Sequence, residues 1–226
     1  MSLPVVSSIA TILAILIPIW TAPIHPSLSL TAQALAQSPV PPITPSPQRG
    51  DQTFDPDQVA ATETRIWKAY YQRNIQLVGF ELIDLLVGQF HLSPPDAFAV
   101  AIDLSSAVQA FQSIRGDYLA HVLPSLKGAY GRLKMLKNGT WDAEAAARAE
   151  LEWWVKRRTP GHNSPEEVGR SIAKLYKILY GRSNQDIEQA GLLRAQAAHL
   201  RDKTQDWTKI QKLLQDSYRL LVRGIQ

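Results

Sequence analysis

From Asp55 to the end of the chain, apolar side chains recur every three to four residues, and this spacing constrains the fold more than any other feature. Such a spacing places apolar side chains on one face of an α-helix. No segment shows the alternation of apolar and polar residues, rich in β-branched types, that marks a β-strand. The pattern therefore predicts an all-α domain over residues 55–226, a compact bundle of about eight helices.

Capping residues and prolines indicate where these helices begin and end. Asp55-Pro56 and Ser164-Pro165 each combine a side-chain cap with proline in the first helical turn, and Gly181 marks a helix end. The predicted helices begin at or near Asp55, Ile75, Ser93, Asp117, Asp142, Ser164, Asn184 and Asp206, and the first seven end near Arg73, Phe90, Phe111, Lys137, Arg158, Gly181 and Lys203.

Two of the predicted helices, Ile75–Phe90 and Ala97–Phe111, are apolar on nearly every side. Helices of this kind are typical of the middle of a bundle. The predicted helix starts near residues 56, 94, 142 and 165 are not evenly spaced. A helical solenoid built from repeats is therefore the alternative to a compact bundle.

The first 37 residues contain no Asp, Glu, Lys or Arg, and Leu3–Trp20 is mostly apolar. Ala34-Leu35-Ala36 places small residues where a signal peptidase reads the chain. We predict a secretory signal over residues 1–36, cleaved after Ala36, and an exported protein in the periplasm or the extracellular space. The alternative is an uncleaved segment in which residues 3–20 tether the protein to the membrane.

A proline-rich linker is predicted over residues 37–54. Its central part, SPVPPITPSPQ, contains five prolines and favours an extended polyproline II conformation. The chain contains no cysteine, which excludes disulfide bonds and cysteine-ligated metal sites. The folded domain must therefore be held together by its core.

Charge is distributed unevenly along the chain. Residues 1–117 hold five Lys or Arg and nine Asp or Glu, whereas residues 118–226 hold nineteen and eleven. The basic second half attracts anions, although no dense Lys/Arg run is present and a solvated basic surface explains the same composition. Nucleic acid is not an expected partner, because an exported protein would seldom meet it.

One segment, ELEWWVKRRTPGHNSPEEVGR (residues 150–170), contains two tryptophans, three consecutive cations at residues 156–158 and a Pro-Gly break. Neighbouring helical residues are about 100° apart, so Trp154 is predicted to be buried and Trp153 to lie at the edge, beside Arg157. On the structural interpretation, the cations oppose the helix dipole and pair across the turn with Glu166 and Glu167.

On the functional interpretation, the same helix end and the start of the next helix form a binding patch for a phosphate, a carboxylate or an acidic partner segment. The predicted patch residues are Trp153, Arg157, Arg158, His162 and Asn163.

The same region resembles an uncharacterised family of bacterial all-helical proteins. The shared pattern is a Trp-Trp-x-x-Arg-Arg segment before a Ser-Pro-Glu helix that ends in Leu-Tyr-Gly, here residues 153–158, 164–166 and 179–181. The similarity extends over roughly residues 67–221. The resemblance implies a helical fold and no assigned activity.

Enzyme motifs are not visible in the sequence. Asp117 and His121 are four residues apart and are predicted to share a helix face, which makes them weak metal-ligand candidates. No phosphate loop, dinucleotide fingerprint or nucleophile elbow is present, and no cofactor is expected. The leading functional hypothesis is a structural or protein-interaction module of the cell envelope. The alternatives are an anion- or small-ligand-binding helical protein and an enzyme with a carboxylate–histidine metal site.

Overall fold

The computed structural model describes residues 54–226, and every regular element in that range is an α-helix. The predicted all-α fold is confirmed for this part of the chain. The predicted signal and all of the predicted linker except Phe54 lie outside the described residues. The helices of the described range are α1 (Pro56–Tyr71), α2 (Ile75–Gly88), α3 (Pro94–Ser113), α4 (Tyr118–His121), α5 (Leu123–Leu136), α6 (Ala143–Arg158), α7 (Pro165–Tyr180), α8 (Gln185–Lys203) and α9 (Trp207–Ile225).

The predicted capping residues begin the helices as expected. The Asp55 carboxylate accepts hydrogen bonds from the amides of Asp57 and Gln58 at 2.9 and 3.2 Å. The Ser164 hydroxyl accepts one from the Glu167 amide at 3.2 Å. These bonds satisfy amide groups that have no partner within the helix. Side-chain caps of the same kind are formed by Asn74, Ser93, Asp142, Asn184 and Asp206.

Each long helix packs against the next long helix along the chain, and α9 packs against α1. This return of the last helix to the first closes the bundle, so the described residues do not form an open solenoid. Short connections make neighbouring helices antiparallel. The C-terminal ends of α1, α3, α6 and α8 therefore meet at one end of the bundle, here called the loop end.

Helices α7 and α8 approach each other closely at two glycines. A Cβ atom on Gly191 would lie 2.5 Å from the carbonyl oxygen of Gly169, and one on Gly169 would lie 2.8 Å from the Cα atom of Leu192. Such distances are too short for any larger residue. The two glycines therefore permit the close spacing between α7 and α8.

The fourth predicted helix, over residues 117–137, is interrupted in the structure. The chain forms the short helix α4, turns at Val122 and continues as α5. Pro124 explains the break, because proline has no amide hydrogen and its ring clashes with the carbonyl four residues earlier. Because of this break, the apolar side chain of Leu119 in α4 is 59% exposed.

The predicted central position of the second helix is wrong. Only Leu82, Leu85 and Leu86 of α2 are buried, and the neighbours against which α2 packs substantially are α1 and α3. An apolar sequence shows that a helix favours burial, but it does not determine how many neighbours cover that helix. Apart from these three leucines, Leu77 is exposed and the other apolar side chains of α2 are half-buried, so the described residues cover this helix only in part.

Candidate functional site

An ion pair lies at the centre of the bundle, between helices that are far apart in sequence. Arg194 Nη2 of α8 donates to Glu63 Oε1 of α1 at 2.6 Å, and both side chains are almost completely buried. The Tyr218 hydroxyl of α9 also donates to Glu63, and Arg194 Nε donates to that hydroxyl oxygen at 3.3 Å. These three residues, the Glu63 cluster, link α1, α8 and α9.

A second buried carboxylate, Glu150 of α6, has no ion-pair partner among the described residues. It accepts hydrogen bonds from Trp154 Nε1 at 2.7 Å and from the Tyr130 hydroxyl at 3.1 Å. Burial raises the pKa of Glu150 to about 7, although the nearby indole N–H groups and Arg194 favour its charged form. Glu150, Trp154 and Tyr130 form the Glu150 cluster.

The two clusters meet at Trp153. The guanidinium carbon of Arg194 lies 5.5 Å from the centre of a Trp153 ring, a cation–π distance. The Trp153 N–H does not have the geometry of a hydrogen bond to any described residue. It lies near the Glu150 carboxyl, however, and lowers the pKa of that group. Trp153 is 2% exposed, so its predicted position at the helix edge is wrong.

Arg157 also points into the bundle. It is 9% exposed, donates to the Ala198 carbonyl at 3.1 Å and pairs with Asp202 of α8. Burial and the neighbouring Arg201 lower the pKa of Arg157 to about 10. Arg201 and the Tyr71 hydroxyl donate to Asp202 at 3.1 and 2.8 Å. Burial opposes the ionisation of Asp202, but the two guanidinium groups outweigh it and lower the pKa of Asp202.

Arg158, the last residue of α6, binds the C-terminal end of α3 and does not face an anion. It donates to the carbonyl oxygens of Phe111 at 2.6 Å and Ile114 at 3.2 Å. Its guanidinium carbon lies 3.7 Å from the centre of the Phe111 ring. These carbonyls are acceptors that the last turn of a helix leaves without an internal partner. Arg158 therefore joins α6 to α3 at the loop end.

The other residues of the predicted patch lie in the loop after α6. His162 and Asn163 are exposed, and His162 Nδ1 lies 3.3 Å from a carboxylate oxygen of Glu167. The predicted pairing of Glu167 with the arginines is thus replaced by a contact with His162. The structure does not bring the five predicted residues together on one surface. Ligand binding by His162 and Asn163 stays a prediction.

The weak metal candidates are both exposed at the loop end. Asp117 has a left-handed backbone with φ 43° and precedes α4, so it does not share a helix face with His121 as predicted. Within residues 54–226, no three His, Asp or Glu side chains are grouped to hold a metal ion.

Sequence reasoning missed the buried pair of Glu63 and Arg194 at the centre of the bundle, although the sequence carried a signal for it. Glu63 lies four residues after Val59 and four before Trp67, on the buried face of α1. Arg194 and Arg201 lie seven residues apart within the buried stripe of α8. A charged residue at a core position of a helix indicates a buried partner elsewhere in the fold.

The shallow clefts on the surface of the described residues include two of similar size. One, of about 380 Å³, lies between the end of α1 and the start of α9 and is lined by Lys68, Tyr71, Gln72, Gln205 and Trp207. The other, of about 400 Å³, lies beside α4 and is lined by Leu119, Leu123, Pro124, Lys127, Glu144 and Arg148. Neither cleft is lined by Glu63 or Glu150, and the residues of both clusters are almost completely buried.

The outer side of α2 and α3 carries large apolar side chains. Leu77 is 37% exposed and the others are half-buried. Antiparallel helices joined by a short turn place residues at equal distance from the turn side by side, so Phe80 lies level with Ile102. This surface, the α2–α3 face, consists of Leu77, Phe80, Ile83, Val87, Phe98 and Ile102.

None of the helices described here combines the length and the apolar character that crossing a membrane requires. Comparison of the chain with protein-family models, with curated proteins and with solved structures returned no match. The resemblance to a bacterial all-helical family therefore stays a prediction, and the function must be argued from the geometry.

Proposed function

We propose that this chain is an exported protein-interaction module of the cell envelope and that it binds a partner protein through the α2–α3 face. The observation that carries the proposal is the apolar character of α2, which among the described residues packs substantially only against α1 and α3. Burial of apolar side chains supplies most of the free energy of protein association. The internal clusters hold the helices together and are closed to a substrate, which favours a binding role.

The charges around the α2–α3 face indicate the kind of partner. Residues 75–113 contain four acidic residues and no Lys or Arg. Glu81 and Asp103 are paired with Arg65 and Arg132, whereas Asp84 is exposed one turn after Phe80. A partner segment with an apolar stripe flanked by lysine or arginine complements this arrangement. We therefore expect a basic amphipathic helix as the occupant.

The same charges disfavour a membrane surface as the occupant. Anionic lipid headgroups attract clusters of Lys and Arg beside an apolar face. The α2–α3 face has no such cations, and the carboxylate of Asp84 would be repelled. Docking of a protein segment is therefore favoured over docking of the face on lipid.

A photo-crosslinking experiment in intact cells tests this function. A photoreactive amino acid replaces Phe80 in the full chain, and a matched variant carries it at Gln189, which is exposed on α8. The crosslinked peptide is identified by mass spectrometry. We expect a basic amphipathic segment of another protein, crosslinked from position 80 and not from position 189.

A binding measurement then connects the crosslink to the charges and to the apolar face. A synthetic peptide of the crosslinked segment should bind the wild-type chain. Its affinity should decrease with added salt and should be at least tenfold lower for the Phe80→Glu variant. Gln189→Glu is the control and should leave binding unchanged. Crosslinks to lipid, to a second copy or to residues 3–20 of the same chain would overturn the proposal, as would equal labelling from both positions.

A further inference from the structure

We propose that the cleft between the end of α1 and the start of α9 binds a saccharide ring that carries a carboxylate. This inference is independent of the α2–α3 face and concerns a different surface of the bundle. The cleft, defined by Lys68, Tyr71, Gln72, Gln205 and Trp207, is here called the Trp207 cleft. Its volume of about 380 Å³ is within the range of small-molecule sites, roughly 300–1,000 Å³.

Two aromatic rings form the apolar wall of the Trp207 cleft. Tyr71 and Trp207 pack edge to face with ring centres 6.0 Å apart and an interplanar angle of 71°. Both side chains are half-buried, so each is anchored in the bundle and still reaches the surface. Aromatic rings held in this way offer a rigid apolar surface to the C–H groups of a sugar ring.

Lys68 supplies a positive charge beside this wall. Its Nζ atom lies 5.8 Å from the centre of a Trp207 ring. Among residues 54–226, no carboxylate forms an ion pair with the Lys68 ammonium group. Lys156, by contrast, is paired with Glu152. A half-buried ammonium without a carboxylate partner favours a ligand that brings one.

Two carboxylates belong to the surroundings of the cleft, and both are already paired with cations: Asp206, between Gln205 and Trp207, lies 3.1 Å from Lys209 Nζ, and Asp202 lies behind Tyr71. Asp202 accepts hydrogen bonds from the Tyr71 hydroxyl and from the guanidinium groups of Arg157 and Arg201. Two cations thus surround one carboxylate behind the aromatic wall. The local charge is positive, which supports binding of an anionic group.

Two carboxamides complete the site. Gln72 and Gln205 line the cleft, and neither side chain hydrogen-bonds to the described protein residues. Each amide offers two donor hydrogens and an acceptor oxygen, the combination that sugar hydroxyl groups require. Gln205 is held in a left-handed conformation with φ 54°, which fixes the loop that forms this side of the cleft. A single cation, two amides and an aromatic wall together fit one carboxylate on a polyhydroxylated ring.

Four probes separate the chemical parts of the proposed ligand. Isothermal titration or saturation-transfer NMR of the full chain is performed with glucuronate, glucose, acetate and benzoate. We expect glucuronate to bind at millimolar concentration and to bind at least several-fold more tightly than glucose, which lacks the charge. Acetate, which lacks the ring, should not bind measurably. Benzoate, which has a flat ring without hydroxyl groups, should bind more weakly than glucuronate.

Substitutions then locate the binding. Lys68→Met removes the ammonium group, keeps the aliphatic stem and should weaken glucuronate binding about tenfold. Lys203→Met is the matched control, because Lys203 is exposed at the same end of the bundle and does not line the cleft. Gln205→Ala provides a second test if Lys68→Met fails to fold, and it should also weaken binding.

The proposal is overturned if glucuronate does not bind at tens of millimolar, or if glucose, acetate or benzoate binds as tightly. It is also overturned if Lys68→Met and Gln205→Ala both fold, by circular dichroism, and retain the wild-type affinity. Equal weakening by Lys68→Met and Lys203→Met would show general charge attraction instead of a site.

Discussion

Replacing Glu150 by glutamine tests whether a buried carboxyl group without an ion pair makes this domain less stable as pH rises. The substitution removes the charge and keeps the shape of the side chain. The glutamine carbonyl oxygen can accept the hydrogen bond from Trp154, and its amide can donate to the hydroxyl oxygen of Tyr130. The loss of ionisation is therefore the main change.

The magnitude follows from the two pKa values. Glu150 has a pKa of about 7 in the folded protein, against the ordinary value of 4.5 that applies when the chain is unfolded. This difference corresponds to about 3 kcal/mol. The folded state retains the proton at a pH where the unfolded state has lost it, so the free energy of unfolding decreases as pH rises from about 4.5 to 7 and then stays level for this group.

The assay is urea unfolding, followed by far-ultraviolet circular dichroism, at a series of pH values from about 5 to 9. The difference in unfolding free energy between Glu150→Gln and the wild-type chain is plotted against pH. This difference cancels the contributions of all other titrating groups. We expect the free energy of unfolding of the variant, relative to that of the wild type, to increase by up to about 3 kcal/mol from the lowest to the highest pH.

Glu152→Gln is the matched control on the same helix. Burial acts against ionisation of Glu152, but the ammonium groups of Lys174 and Lys156 outweigh it and lower the pKa of this carboxyl. The control should therefore show no relative gain as pH rises above about 5. If the wild-type and Glu150→Gln curves run parallel over the whole range, the argument from burial is refuted.

Three further predictions concern the packing of the bundle, and each is checked by urea or thermal unfolding. Arg194→Met should destabilise the domain by about 3–5 kcal/mol, because it leaves the buried carboxylate of Glu63 without its cation; a loss below about 1 kcal/mol would contradict this. Gly191→Ala should destabilise it because the new methyl group meets the backbone of α7, whereas Gly131→Ala, with nothing within 4 Å, should stabilise it by about 0.5–1 kcal/mol; effects of equal sign would contradict the close approach. Asp142→Ala removes the cap of α6 and should cost about 1 kcal/mol, so unchanged stability would show that the cap is dispensable.

Local features of the fold could be predicted from the sequence, because they depend on residues close together in the chain. Asp55, Ser164 and Asp206 cap their own helices through amides two or three residues away. The break before Pro124 was also readable from local chemistry. The outward position of α2 could not be predicted in this way, because it depends on how many other helices cover that segment.

The candidate sites depend on distant parts of the chain, and sequence reasoning placed them incorrectly for that reason. Arg157 was predicted as a surface cation, yet Asp202, its partner, lies 45 residues away. Trp153 was paired with Arg157, whereas the cation beside it is Arg194 of α8. Tyr71 and Trp207 come from opposite ends of the domain and form a cleft only because α9 returns to α1.

The return of α9 to α1 has a consequence for the order in which this domain can be completed. Glu63 is separated from Arg194 by 131 residues and from Tyr218 by 155 residues. A growing or translocating chain exposes Glu63 long before either partner emerges, and α1 cannot bury that charge until the last two helices arrive. Chains that stop before α9 should therefore remain protease-sensitive at α1, at the far end from the truncation.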